Sequence, residues 1–219
     1  MKYKHIIWDW NGTLIDDTWL CVEIMNNIME KRGLNSITID DYREYFTFPV
    51  RDYYVKLGFD FSIEPFEICG MEFIRDFKKR KFDASLYSQT ETVLDNLSEI
   101  GITHSILSAQ NQSILNETVE HYQLQNKFEG VNGLNDHYAH SKVEIGKSWI
   151  DTLDYDPKEV LMIGDTVHDF EASQAMGTDC ILISSGHNSR KRLEETQTLV
   201  LDTQEEILEI IMTLIVRII

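Results

Sequence analysis

The chain has 219 residues, 42% of them hydrophobic and 11% aromatic, which is enough apolar material for one sizeable core, or a core plus a small second unit, and too much for a disordered chain. Lys and Arg total 20 against 37 Asp and Glu, a formal net charge of −17. A surface this acidic repels nucleic-acid phosphates and anionic membranes, so an anionic ligand must be held by a local cluster of donors or by a bound cation.

Cys21, Cys69 and Cys180 are odd in number, far apart and embedded in apolar sequence, so they read as free buried thiols rather than disulfides or zinc ligands. The apolar stretch before Asp9 is too short for a signal peptide. The C-terminal run Ile207–Ile219 is oily but short and is interrupted by Glu209 and Arg217, so it reads as a packed helix rather than a membrane span. A cytoplasmic location is expected.

The first strand is expected over Lys4–Asp9. From 17 to 83 the pattern is helical: Leu20, Ile24 and Ile28 recur at i, i+4 and i+8, with Met25 and Met29 on the adjoining face. Phe46-Thr-Phe-Pro49 marks a break. A second helix-period segment runs from Glu64 to Lys81, ending in the basic run Lys78 to Lys81, which suits a helix C-terminus. Strand patterns return at Thr103–Ser108, Val160–Gly164, Cys180–Ser184 and Leu199–Leu201. Between them lie helical faces at Val93, Leu94, Leu97 and Ile100, and at Trp149, Ile150 and Leu153.

This alternation predicts an α/β fold with a doubly wound parallel sheet, built from 1–16 and 84–219, with 17–83 inserted after the first strand as a helical cap. Strand runs without alternation fit burial on both faces. In such sheets ligands bind at the carboxyl ends of the strands, so the polar residues there carry the functional question.

Two strand ends stand out. The first reads Ile6-Ile7-Trp8-Asp9-Trp10-Asn11-Gly12-Thr13, an acid followed by a turn whose glycine can take positive φ and let backbone amides approach an anion. An Asn-Gly hairpin is the alternative, but no partner strand follows. The second reads Ile163-Gly164-Asp165-Thr-Val-His168-Asp169. Once the chain turns helical, residues i and i+4 share a face, so both carboxylates can converge. Converging like charges call for a cation, and all-oxygen donors suggest magnesium rather than zinc. Alternatively, Asp169 only complements a helix dipole.

Taken together, Asp9-Trp-Asn-Gly-Thr-Leu-Ile-Asp16, the Ile106-Leu107-Ser108 strand end, Lys142 lying 23 residues before Asp165, and Gly164-Asp165-Thr-Val-His-Asp169 resemble, in order, the four motifs of haloacid-dehalogenase superfamily phosphatases, the phosphoglycolate-phosphatase-like branch above all. The resemblance implies an Mg2+-dependent phosphatase acting on a small phosphorylated metabolite through an aspartyl-phosphate on Asp9. It implies metal held by Asp9, the Asn11 carbonyl, Asp165 and Asp169. It also implies a phosphoryl group held by Ser108, the Ala109 amide and Lys142, with Thr13 packed near the nucleophile. Lys147, five residues closer to Asp165, is a rival for Lys142. Arg51, after the Phe-Thr-Phe-Pro break, is a candidate for binding the substrate's carboxylate or phosphate.

The chain departs from the family at Asn11, where an acid/base Asp is usual. An amide cannot transfer a proton, help typically worth ~10²–10⁴-fold, and His168 and His187 are candidate substitutes. Two other readings follow: a catalytically weakened homologue that binds a phosphorylated ligand or protein, and a phosphonoacetaldehyde-hydrolase-like enzyme, which would need a cap lysine such as Lys56.

Overall fold

A computed structural model describes residues 2–134 and 142–216; Arg217 and the chain end beyond it lie outside that range. In chain order the strands are β1 (His5–Trp8), β2 (Ile15–Asp16), β3 (Ser85–Leu86), β4 (Thr103–Asn111), β5 (Gly130–Leu134), β6 (Val160–Gly164), β7 (Asp179–Ile183) and β8 (Leu199–Leu201). The helices are α1 (Thr18–Glu30), α2 (Ile39–Tyr45), α3 (Val50–Lys56), α4 (Phe66–Arg80), α5 (Thr90–Glu99), α6 (Gln112–His121), α7 (Lys142–Ile150), α8 (Val167–Met176), α9 (Arg190–Glu194) and α10 (Glu205–Val216).

Six strands form one parallel sheet in the order β5-β4-β1-β6-β7-β8. Both faces are covered, as the unalternating apolar runs require. Ile6 and Trp8 of β1 point into a core closed by α5, α6 and α10, whereas Ile7 between them points into a second core closed by α7, α8 and α9. This is the period of two expected of a strand. The order puts β1 at the centre, between β4 and β6. The residues that follow β1 and β6 therefore emerge side by side at one edge, tied by a bond from the Asp9 amide to the Ile163 carbonyl at 2.8 Å.

The region between the two halves of the sheet is helical. Helices α1 to α4 lie between β2 and β3, which pair antiparallel as Ile15↔Leu86 and Asp16↔Ser85. The Asn11-Gly12 turn is thus no β-hairpin, because β2 turns away from β1 to pair with β3. Two expectations about strands need correction. β4 continues past Ser108 to Asn111 with a register shift against β5, so Ser108 sits at an irregularity inside the strand rather than at its end. β5 gave no strand pattern, since Gly-Val-Asn-Gly-Leu is poor in β-formers and its sheet partners lie on one side only.

The three cysteines are free and buried, and among the described residues no helix is long and apolar enough to cross a membrane. Removing the Ile7 side chain, fully buried at the sheet centre, leaves a cavity that neighbours on two strands cannot fill. Ile7→Ala is expected to cost about 2–5 kcal/mol, read as a lowered urea midpoint with an unchanged denaturant slope.

Candidate active site

The carboxyl edge of β1 and β6 gathers three acids from three segments. Asp9 follows β1, Asp165 follows β6 and Asp169 lies in the first turn of α8; oxygens of all three lie within 4.8 Å of one another, and all three side chains are buried. Lys142, the first residue of α7, reaches into the cluster. Its ammonium donates to Asp9 Oδ1 at 2.6 Å and to Asp169 Oδ1. Asp169 Oδ2 is already occupied: it accepts from the amides of Asp165 and Thr166 and from the Thr166 hydroxyl. Asp169 therefore caps its own helix with one oxygen and faces Lys142 with the other.

Asp165 is held by two neutral donors. Thr13 Oγ1 donates to its Oδ1 at 2.7 Å and the His187 amide to its Oδ2 at 2.6 Å. Two glycines make this approach possible. Gly12 has φ +75°, and a Cβ on it or on Gly186 would collide with the Asp165 carboxylate.

Beside the acids lies a second buried group. Asp17 accepts from Asn11 Nδ2 at 2.6 Å and from the Gly12 amide at 2.9 Å, and it pairs with His187 Nε2 at 3.3 Å. The other ring nitrogen of His187 meets the Tyr42 hydroxyl at 2.9 Å. Both nitrogens are thus engaged within the protein. His168 lies on α8 with its ring against Phe48, centroids 4.6 Å apart, and Nδ1 near Glu171.

The electrostatics follow from burial. Desolvation pushes the Asp9 carboxyl well above the usual range; Lys142 opposes this, and the neighbouring carboxylates add to it. Asp165 is pushed up to about 6, chiefly by burial. Asp169 is buried too, but Lys142 holds it below its ordinary value. Burial disfavours the Lys142 cation, yet Asp169 and Asp9 keep it protonated. Against three carboxylates the cluster sets one ammonium, leaving a buried surplus of two negative charges when all are ionised.

Asp9, Asn11, Asp17, Ser108, Ala109 and Lys142 border one cavity of about 640 Å³ that continues between the insertion and the sheet edge, with Asp165 and Asp169 buried beside Asp9. Its far walls are aromatic, from Phe46 and Phe48 on the segment after α2, Tyr53 and Tyr54 on α3, and Phe66, Phe73 and Phe77 on α4.

The haloacid dehalogenase-like hydrolase profile matches residues 6–183 of this arrangement. The chain belongs to that family. It is 28% identical to pyrophosphatase PpaX of Anoxybacillus flavithermus over 81% of this chain and 82% of the relative. It is 22% identical to phosphoglycolate phosphatase of Aliivibrio fischeri over 89% of each. A haloacid dehalogenase-like family hydrolase of Streptococcus pneumoniae shares the fold, with a TM-score of 0.82 and 18% identity over 96% of this chain and 99% of that one.

The structure of this hydrolase brings Asp9, Asn11, Ser108, Ala109 and Lys142 to the wall of one cavity, with Asp165 and Asp169 buried against Asp9. Lys147 is exposed on α7 and takes no part. Thr13 is fully buried and does not line the cavity; its hydroxyl is spent on Asp165, so it positions an acid rather than meeting a substrate. Arg51 borders the cavity but is exposed, with its guanidinium 4.8 Å over the Phe61 ring. Lys56 is exposed at the end of α3 and outside the cavity, where it cannot form an imine with a bound substrate. The sequence reading missed Asp17, which sits beside Asn11 while Asp16 is exposed in β2. The polar run Ser184-Ser-Gly-His-Asn-Ser189 after a buried strand was the available signal for the His187 loop.

The His187–Asp17 pair has a consequence for stability. Burial opposes the imidazolium, but Asp17, Asp165 and Asp9 raise its pKa from 6.5 to about 9. Folding therefore binds that proton more tightly than the unfolded chain does, and the stabilisation, present below pH 6.5, is lost as pH rises through about 9. Tyr42 and Cys21, which also face this group, are held by burial well above their ordinary values and stay neutral across that window. Stability in metal-free buffer is expected to fall by on the order of 3 kcal/mol between pH 7 and 9.5. Urea midpoints should show this slope in the wild type and a flattened one in His187→Gln.

Proposed function

We propose that this hydrolase is an Mg2+-dependent phosphatase of a small phosphorylated metabolite, with Asp9 as the nucleophile. The observation that carries the reading is the clustering of Asp9, Asp165 and Asp169, with Lys142 donating to Asp9 and Asp169, beside a cavity large enough for a small molecule. A carboxylate oxygen of Asp9 bonds to phosphorus while the ester P–O bond breaks, its electron pair leaving with the alcohol oxygen. Water then bonds to phosphorus as the Asp9–phosphorus linkage breaks, which returns the carboxylate and releases inorganic phosphate.

The chemistry of the donors fits a hard divalent cation: only oxygen ligands are offered, and the surplus of two negative charges is what such an ion neutralises. Asp9, Asp165 and the Asn11 carbonyl would hold it, with Asp169 beside them. When bound it would offset the charge of the phosphoryl group, so that an anionic nucleophile meets an anionic substrate.

The chain's own groups do the rest. Lys142 places a cation against the phosphoryl oxygens, and Ser108 with the Ala109 amide supplies donors from β4, the neutralisation and positioning that phosphoryl transfer requires. Thr13 and the His187 amide fix Asp165. Asp17 fixes the Asn11 side chain and the Gly12 amide, holding the turn that follows the nucleophile. The helices of 17–83 serve as a cap over 1–16 and 84–219, excluding water and contacting the leaving group.

Asp9→Asn is expected to keep the fold and lose phosphate release by at least about 10³-fold; a folded variant with wild-type activity rules out the nucleophile assignment. Asp165→Ala should remove the response of activity to added Mg2+ in an EDTA-buffered titration. Asn11→Asp restores a titratable group, so turnover of an alkyl phosphate is expected to rise ~10²-fold or more, measured as kcat against glycerol phosphate.

A further inference from the structure

Resting on the phosphatase reading, we infer that the substrates are aryl phosphates: a phosphate ester of a phenol whose flat, largely uncharged ring lies between the aromatic walls of the cavity. Two independent observations meet here. The first is the shape and chemistry of the cavity beyond the acids. Phe46, Phe48, Tyr54, Phe66, Phe73 and Phe77 all border it, and such faces favour another ring, stacked or edge-on.

The cations among the described lining residues are few. Lys142 is committed to Asp9 and Asp169, His187 is paired with Asp17, and Arg51 is exposed over Phe61. His168 packs, tilted, against the Phe48 ring. A second phosphate or a carboxylate placed among the rings, away from the exposed Arg51 rim, would be buried without a counter-ion, which is costly. A small polyanion is therefore the wrong shape and the wrong charge.

The second observation is the missing acid. Asn11 has no proton to give, and both nitrogens of His187 are engaged with Asp17 and Tyr42. A leaving alkoxide needs protonation as the P–O bond breaks, whereas a phenolate, with a conjugate-acid pKa of ~10, leaves without it. The bond that breaks is the ester P–O bond, and the phenolate picks up its proton from solvent after departure. The absent acid and the aromatic walls select the same class of ester.

The test is a substrate panel at fixed Mg2+: 1-naphthyl phosphate, phenyl phosphate, cyclohexyl phosphate, phosphoglycolate, pyrophosphate and acetyl phosphate. The expected result is a kcat/KM for the two aryl esters at least about 100-fold above that for phosphoglycolate. Cyclohexyl phosphate, which fits the walls but leaves poorly, should inhibit 1-naphthyl phosphate competitively while turning over slowly. Phe73→Ala, on a side chain that is only half-buried, should raise the KM for 1-naphthyl phosphate about tenfold more than that for phenyl phosphate, as expected from losing one wall of an apolar site.

Hydrolysis of acetyl phosphate together with a preference for phosphoglycolate or pyrophosphate overturns the aryl assignment and leaves the phosphatase reading standing. Equal KM changes for the two aryl esters in Phe73→Ala also overturn it. No phosphate release from any member of the panel, acetyl phosphate included, overturns the phosphatase reading itself.

Discussion

Three buried carboxylates crowded together, two of them bonded to one lysine, form the arrangement on which the rest of this molecule depends. Charges of one sign are brought together only where the backbone holds them, and here it does so from three directions. β1 and β6 are adjacent in the sheet, so Asp9 and Asp165 emerge beside each other. α8 begins a turn later and returns Asp169 to the same point, its second oxygen fastened to the Asp165 and Thr166 amides. α7 starts at Lys142, which projects into the middle. An isolated buried lysine would lose its proton, and an isolated buried aspartate would gain one. Lys142 and Asp169 hold each other ionised, whereas burial and the neighbouring carboxylates keep the Asp9 carboxyl raised.

That constraint explains local features that otherwise look unrelated. Gly12 and Gly186 lie where a Cβ would collide with Asp165. Gly164 stands in the same relation to Asp169. Thr13, placed in a turn, spends its hydroxyl inside the protein. Asp17 and His187 form a second, neutral pair alongside the first, which keeps the additional acid next to Asn11 from adding to the unbalanced charge.

Much of this was legible in the sequence, for physical reasons. The central strands are apolar runs buried on both faces, and the acids stand where those runs end, so the strand ends drew attention to Asp9, Asp165 and Asp169 and the resemblance to the family's motifs joined them into one site. Helical periodicity located α1 and α4. What was not legible depends on contacts between segments far apart in the chain. β5 is too rich in glycine to read as a strand. Asp17 and His187 are meaningful only as a pair, 170 residues apart in sequence. The choice of Asp17 over its neighbour Asp16 depends on β2 pairing with β3, which exposes one and buries the other. The aromatic walls come from three separate segments, two of which read as ordinary helix and one, Phe46-Thr-Phe-Pro49, as a break.

The connection between α2 and the loop after β7 limits how the cavity can open. Arg43 donates to the Ser185 and Gly186 carbonyls, Arg192 donates to the Arg43 and Phe46 carbonyls, and Tyr42 meets His187. The helical insertion is therefore riveted to the sheet at the rim nearest the acids. α3 and α4 carry none of these bonds, and α4 is tied instead to α1 through Lys31–Glu72 and Arg80–Glu23. The rim nearest the acids is thereby pinned to the sheet by side chains, whereas the aromatic wall is pinned within the insertion itself.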